Sequence, residues 1–404
     1  MQIVITAVLV LALAPFVYYL LSLFCVISYF RGTRRALKTR LPYMPPASIL
    51  KPVRGLDHEA YENFASFCRL DYPEYELLFA VSDGDDQVCA IIEKLRADFP
   101  SCSIRIITKI PRVGTNDKVN KLCRLVRKAK YEFIVMSDSD VRVEADYLKE
   151  VIAPFANPEV GAVTAFYRSL SAGNLMSNLD ALGMYMDSVP AALVAKNIEG
   201  KIRFAFGWTM ATSKKHLAQI GGWEGMANYH SDDFELGRRI AQCGYRVELM
   251  AKPVSMVFPR ETLSQYFHRE LRWSIGLRSV RSWGYCGLAL THGLPWTLMA
   301  AVAALSIGAM SMAVSYLAAY LILRLSLTWT IGKWGIGDGR LAKILWLVPV
   351  RDAIGFIIWI TGFFSDKISW RGTNYHVRNG ELVPIPITSH NPAPRPESIS
   401  PVAS

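Results

Sequence analysis

From Ile3 to Phe30 the chain carries no charged side chain, and an apolar run of that length exceeds the roughly 20 residues a helix needs to cross a bilayer. A cleaved signal peptide would put basic residues ahead of a short apolar core and a small-residue cleavage site behind it. Here the order is reversed, because Arg31, Arg34, Arg35, Lys38 and Arg40 follow the run with no acid among them. By the positive-inside rule that flank is cytoplasmic and the N-terminus faces outward. The chain therefore reads as an integral membrane protein, with a transmembrane helix over residues 1–30 and a basic linker over 31–46.

The formal net charge of +11 raises nucleic acid as a partner, but no nucleic-acid motif accompanies it and much of the excess lies beside apolar segments. Anionic lipid in the bilayer is the expected partner instead. The seven cysteines are scattered, with no C-x-x-C pair, so they read as free thiols rather than as a zinc or redox site.

Pro42, Pro45 and Pro46 stop any helix and open a water-soluble stretch that runs to about residue 260. Within it, apolar β-rich runs at Ser48 to Val53, Glu76 to Ser82, Ile104 to Thr108, Glu132 to Ser137 and Val160 to Phe166 alternate with helical patterns near 58–70, 87–98, 117–129 and 144–155. Such alternation predicts an α/β, Rossmann-like domain, here over 47–263, with a parallel sheet covered on both faces. Ligands of such sheets gather at the carboxyl ends of strands, which singles out Asp83 and Asp138.

The remainder belongs with the membrane. Residues 264–285 mix aromatic and aliphatic side chains with Arg269, Arg272, Arg278 and Arg281, the pattern of an amphipathic interfacial segment. Ser282 to Leu323 lacks Asp, Glu, Lys and Arg, which predicts two transmembrane helices within 286–330 that turn near Gly308. A third apolar segment, 341–365, carries Arg351 and Asp352 near its middle, and buried charge in a membrane must be paired or face a cavity. It therefore reads as a further membrane or re-entrant segment. Parity then leaves 366–404 as a cytoplasmic tail, with His390 to Ser404 too poor in apolar residues to fold.

Four polar constellations carry the chemistry. The run Phe79-Ala80-Val81-Ser82 ends in Asp83-Gly84-Asp85-Asp86, and Ile134-Val135-Met136-Ser137 runs into Asp138-Ser139-Asp140. With one residue between them, two aspartates on extended chain can face one side and hold a divalent cation against a diphosphate. His230-Ser231-Asp232-Asp233 opens a helix; such acids are ordinary partners of a helix dipole, or one of them is a general base. Arg269-Glu270-Leu271-Arg272-Trp273 joins phosphate-gripping forks to a flat interfacial ring. Singly, each has a bland reading as a loop, a cap or an anchor.

In this order and spacing they resemble the D, D, D, (Q/R)xxRW series of the family 2 inverting glycosyltransferases. The closer likeness, spanning residues 47 to 380, is to the ceramide glucosyltransferase family (family 21), with its bacterial hopanoid-biosynthesis relatives. Ser48 to Gly55, Glu62 to Pro73, Arg112 to Leu122, Trp370, Arg371, Gly372 and Tyr375 are similar to stretches of that family. Two departures are an Asp-Asp third motif, where many relatives carry Glu-Asp, and Arg269, where processive synthases usually carry Gln.

The resemblance implies a GT-A fold for the cytoplasmic domain and residence in the bacterial inner (plasma) membrane. It also implies transfer of glucose or N-acetylglucosamine from a UDP-sugar to a membrane lipid, ceramide or hopanoid-like. Carried over by position, Asp83, Asp85, Lys118, Asn120 and Asp138 would bind the nucleotide-sugar, and Asp140 with Asp138 would hold Mg2+ or Mn2+. Asp233 would be the base, and Arg269, Arg272 and Trp273 would grip the leaving diphosphate and shape the acceptor entrance. Met176, Met184, Tyr185 and Met186 are either an apolar acceptor wall or ordinary core. The rival readings are a processive polysaccharide synthase and a non-catalytic membrane scaffold.

Overall fold

The computed structural model describes residues 1–39, 42–82, 87–171, 174–370 and 372–386. The Pro- and Ser-rich end expected to be disordered, His390 to Ser404, and Arg371 lie outside the described residues. The first helices are α1 (Gln2–Leu11) and α2 (Ala14–Thr39), which together make a 37-residue candidate span, Gln2–Lys38. The helix thus runs well past Phe30 through much of the basic linker, because Arg, Ala, Leu and Lys are good helix formers and no proline falls between Phe30 and Pro42.

The α/β domain follows in chain order: β1 (Ala47–Val53), α3 (Ala60–Cys68), β2 (Tyr75–Val81), α4 (Val88–Asp98), β3 (Ile104–Ile107), α5 (Asp117–Lys128) and β4 (Phe133–Ser137). After these come β5 (Val141–Arg142), α6 (Tyr147–Ile152), β6 (Val160–Thr164), β7 (Tyr167–Ser171), α7 (Leu175–Gly183), α8 (Val189–Glu199), β8 (Thr209–Ser213) and α9 (Lys214–Gln219). The domain closes with α10 (Asp232–Gln242), β9 (Arg246–Leu249) and β10 (Val254–Phe258).

The main sheet has seven strands in the order β3-β2-β1-β4-β8-β6-β9. It is parallel-rich but not wholly parallel, since β8 runs antiparallel to both β4 and β6. That strand, Thr-Met-Ala-Thr-Ser, has no apolar run to announce it. From β1 the chain proceeds outward through β2 and β3 and returns to β4 on the other flank of β1. The carboxyl ends of β1 and β4 therefore frame the crevice where sheets of this kind bind ligands. A small second sheet, β5-β10-β7, stands beside that crevice. Met176, Met184, Tyr185 and Met186 are all buried.

Beyond β10 lie α11 (Leu263–Val280), α12 (Ser282–Gly287), α13 (Gly293–Ser306), α14 (Met310–Trp329), α15 (Leu341–Ile344) and α16 (Val348–Thr361). Among the described residues three helices are long and apolar enough to cross a membrane, Gln2–Lys38, Met310–Ile336 and Leu341–Thr361, with α12 to α13 a further pair bent by 47°. Contacts with α1 and α2 set their depth. Near the N-terminus Tyr316 Oη donates to Leu9 O at 2.7 Å, further along Tyr19 Oη donates to Thr291 O at 3.0 Å, and Trp334 meets Phe30 and Arg34 toward the domain. Hence α13 and α14 form a hairpin that turns at the far side, at Gly308, whose φ of 73° suits glycine.

The third apolar segment differs, because both its ends touch the domain side. Arg340 donates to Ser169 O at one end, and Arg278 Nη1 donates to Phe363 O at 2.8 Å at the other. Its charges are paired: Arg351 lies 3.0 Å from both Asp187 and Glu270, and Asp352 lies 2.6 Å from Arg324 on α14. The chain then forms a three-stranded antiparallel sheet, β11 (Lys367–Trp370), β12 (Thr373–Arg378) and β13 (Glu381–Pro384). This sheet docks on the α/β domain through His230 N to Gly380 O at 2.8 Å and Leu382 N to Asn228 O at 2.7 Å. The described part of the expected tail, up to residue 386, thus forms a sheet that lies on the domain's side of the membrane helices.

Candidate active site

Three elements converge at the crevice. Buried β4 delivers Asp138, Ser139 and Asp140 from its carboxyl end. Helix α5, capped by Asn116 accepting from Val119 N, presents Lys118 on its first turn. Helix α10 opens at Asp232 and Asp233, and Gly237 lets it settle, since a Cβ there would lie 2.3 Å from the Phe204 carbonyl carbon. Lys118 Nζ sits 2.9 Å from Asp138 Oδ1, 3.8 Å from Asp232 Oδ2 and 3.3 Å from Gly207 O, so it joins the Asp-x-Asp turn to the acidic helix start.

These charges perturb one another. Burial, reinforced by the neighbouring Asp232 carboxylate, pushes the Asp233 pKa up to about 6, although its Oδ1 accepts from Phe234 N at 2.7 Å. Burial likewise raises Asp232. Burial disfavours the Lys118 charge, but Asp138 and Asp232 outweigh it and hold the amine above the usual lysine range. A carboxylate poised near neutrality at a strand-end crevice is the signature of a general base.

Beneath the turn lies Lys51, fully buried, whose Nζ donates to Ser137 Oγ at 3.1 Å and to Asp138 O at 2.8 Å. Ser139 donates its hydroxyl to Asp57, which follows β1. Lys51 and Asp57 were not singled out from sequence. The strand-end rule that selected Asp138 points equally to the segment after β1, and that segment carries Asp57.

The opposite wall comes from α11 and the C-terminal sheet. Arg269 is held by three carboxylates, Asp180 at 2.7 Å, Glu261 at 2.9 Å and Glu270 at 3.5 Å. Burial pushes the Asp180 pKa up to about 7 even against Arg269. Arg272 lies 5.7 Å from the Trp370 ring centroid and 5.9 Å from that of Trp273. Of the other helix arginines, Arg278 bonds backbone carbonyls and Arg281 pairs with Glu199. This helix is thus fastened within the protein through its cations.

Asp57, Lys118, the Asp138–Asp140 turn, Asp232, Asp233 and the α11 wall line one cavity of about 1150 Å³, above the roughly 300–1,000 Å³ usual for a single small ligand. Among the residues expected at the site, Lys118, Asp138, Asp140, Asp233, Arg269, Arg272 and Trp273 line it. Asn120 stands behind the wall, where its Oδ1 accepts from Val113 N at 2.9 Å and Gly114 N at 2.8 Å, so it shapes a loop. Asp83 and Asp85 lie outside the described residues.

Among the described residues no group of three or more His, Cys, Asp or Glu is arranged as a complete metal cage. The Asp138 and Asp140 carboxylates still fit Mg2+ or Mn2+. Such hard ions bind through one or two carboxylates, with the remaining oxygens taken from substrate phosphates.

A parallel-rich α/β domain joined to candidate membrane spans, with paired aspartates at a strand end facing an acidic helix start across one crevice, has the architecture of a GT-A glycosyltransferase. Residues 7–383 match the sequence model of Glycosyl transferase family 21, and the chain belongs to that family. Ceramide glucosyltransferase 3 of Caenorhabditis elegans is 25% identical over 243 residues, which are 57% of this chain and 50% of that protein. A poly-beta-1,6-N-acetyl-D-glucosamine synthase of Staphylococcus epidermidis is 20% identical over 222 residues, 54% of this chain and 51% of that one. The chain thus spans about half the length of these curated relatives. Among solved structures, a mannosyltransferase from Pyrobaculum calidifontis in complex with GDP-Man and Mn2+ is similar at 17% identity and a TM-score of 0.48, covering 88% of this chain and 99% of that one.

Proposed function

We propose that the protein is an inverting, metal-dependent glycosyltransferase that moves one glucose or N-acetylglucosamine from a UDP-sugar to the hydroxyl of a ceramide-like membrane lipid. The observation that carries this reading is the Asp233 carboxylate, half-buried at the cavity wall with its pKa pushed up to about 6. It shares one cavity with the Asp-x-Asp turn and an apolar wall. In the proposed reaction Asp233 takes the proton from the acceptor hydroxyl as its oxygen attacks the anomeric carbon. The bond to the diphosphate breaks on the opposite face, its electron pair leaves on the diphosphate oxygen, and the configuration inverts.

A divalent cation bound by Asp140 with Asp138 would offset charge on the leaving diphosphate. Lys118 orients Asp138, and Arg272 supplies a further positive charge at the cavity wall. Arg269 acts by holding α11 in place through its three carboxylates. The basic flank of α2 supports a cytoplasmic α/β domain. The test is Asp233→Asn in isolated membranes supplied with UDP-sugars: loss of lipid glycosylation with an unchanged unfolding midpoint is expected, and intact transfer would refute the assignment.

A further inference from the structure

The cavity has two chemically distinct arms. The polar arm holds Asp138, Asp140, Lys118 and Asp233, whereas the other runs between α8 and α11. There the α8 wall is a face of small side chains, Ala191, Ala192 and Ala195, opposite Leu277 and Val280 of α11. Alanines at that helical spacing leave a slot where leucines would close the space by interdigitating. At its outer end Arg281 pairs with Glu199 and so bridges the two helices. Leu277 and Ile198 are exposed near this end.

The surroundings say what enters. Helix α8 also packs along α2, part of a candidate span, with Lys196 Nζ 5.3 Å from the Tyr29 ring centroid. One face of α8 thus lines the apolar arm while the helix packs along the candidate span, and the Asp233 carboxylate lines the same cavity. An occupant must be apolar along its length and carry a hydroxyl at one end.

Resting on the function proposed above, we infer that the slot between α8 and α11 takes a single hydrocarbon chain of the acceptor, with its hydroxyl head directed at Asp233. The slot is accordingly a specificity element for lipids with a slender chain. Filling it with Ala195→Trp, or more mildly with Ala191→Leu, discriminates by chain length.

The experiment compares a long-chain ceramide with a short-chain, water-soluble analogue of the same headgroup, assayed in the same membranes. The ratio of long-chain to short-chain transfer is expected to fall about tenfold or more in Ala195→Trp and to recover when Leu277→Ala reopens the facing wall. An unchanged ratio in both filled variants overturns the slot. Photo-crosslinking with a diazirine-bearing long-chain ceramide, mapped by peptide mass spectrometry, gives an answer that does not require transfer. Labelling of α8 and α11 supports the slot even if no sugar is transferred, an outcome that would count against the proposed function alone. Labelling confined to α13 and α14 overturns the slot.

Discussion

As the proposed base, Asp233 would work only when charged, and burial opposes that charge, pushing its pKa up to about 6. The rate of transfer should therefore climb with pH to about 6 and level off above it, with about a tenfold fall per pH unit below that limb. Asp233→Asn should lower the rate by about 10²–10⁴-fold and abolish the acid limb, both read from pH–rate profiles. Lys118 compensates the buried Asp232 and the half-buried Asp138 at once. Lys118→Met should destabilise the domain by about 3–5 kcal/mol, seen as a lowered unfolding midpoint. At this scale much was legible: Asp138, Asp140, Asp233 and the arginine motif stood out because acids and arginines cluster there. Asp57 and Lys51 did not stand out, since each is a lone polar residue whose role appears only when β1 and β4 lie side by side.

Elements carry the site by fitting against one another. Gly237 brings α10 onto the Phe204 backbone, where a Cβ would lie 2.3 Å from the carbonyl carbon. Gly237→Val should push the Asp232–Asp233 turn away and depress both transfer and stability, measured in parallel. In the membrane region Arg324 contacts Asp352 at 2.6 Å and Asp187 at 3.1 Å. Arg324→Leu should cost about 3–5 kcal/mol by stranding Asp352, and an added Asp352→Leu should restore most of it, read from unfolding midpoints in detergent. Strands β1 to β4 and β6 and helices α3 to α6 were legible from alternating patterns, and α10 from its acidic start. The reversed β8 was not, because its five residues are half polar, and neither were the partners of Arg351 and Asp352, which lie far away in sequence.

For the whole molecule, the contacts with α1 and α2 set the topology. The Gly308 turn lies at the level of Leu9, and the C-terminal sheet lies against His230 on the side of the α/β domain. In a background lacking the seven free cysteines, a cysteine at Ile307 should react with an impermeant reagent in intact cells. One at Asn379 should react only after permeabilisation, and the reverse pattern would contradict the topology. The C-terminal sheet also shows where sequence reading stopped: parity returned the tail to the cytoplasmic side, but nothing in the pattern marked Trp370 and Tyr375 as cavity wall. The central claim is that one sugar passes to a membrane lipid. It is tested most directly by mass spectrometry, with anomeric analysis, of lipids from membranes given isotopically labelled UDP-glucose and UDP-N-acetylglucosamine. The account predicts a lipid carrying one labelled sugar in inverted configuration, absent with Asp233→Asn, whereas an oligosaccharide ladder or a retained configuration would contradict it.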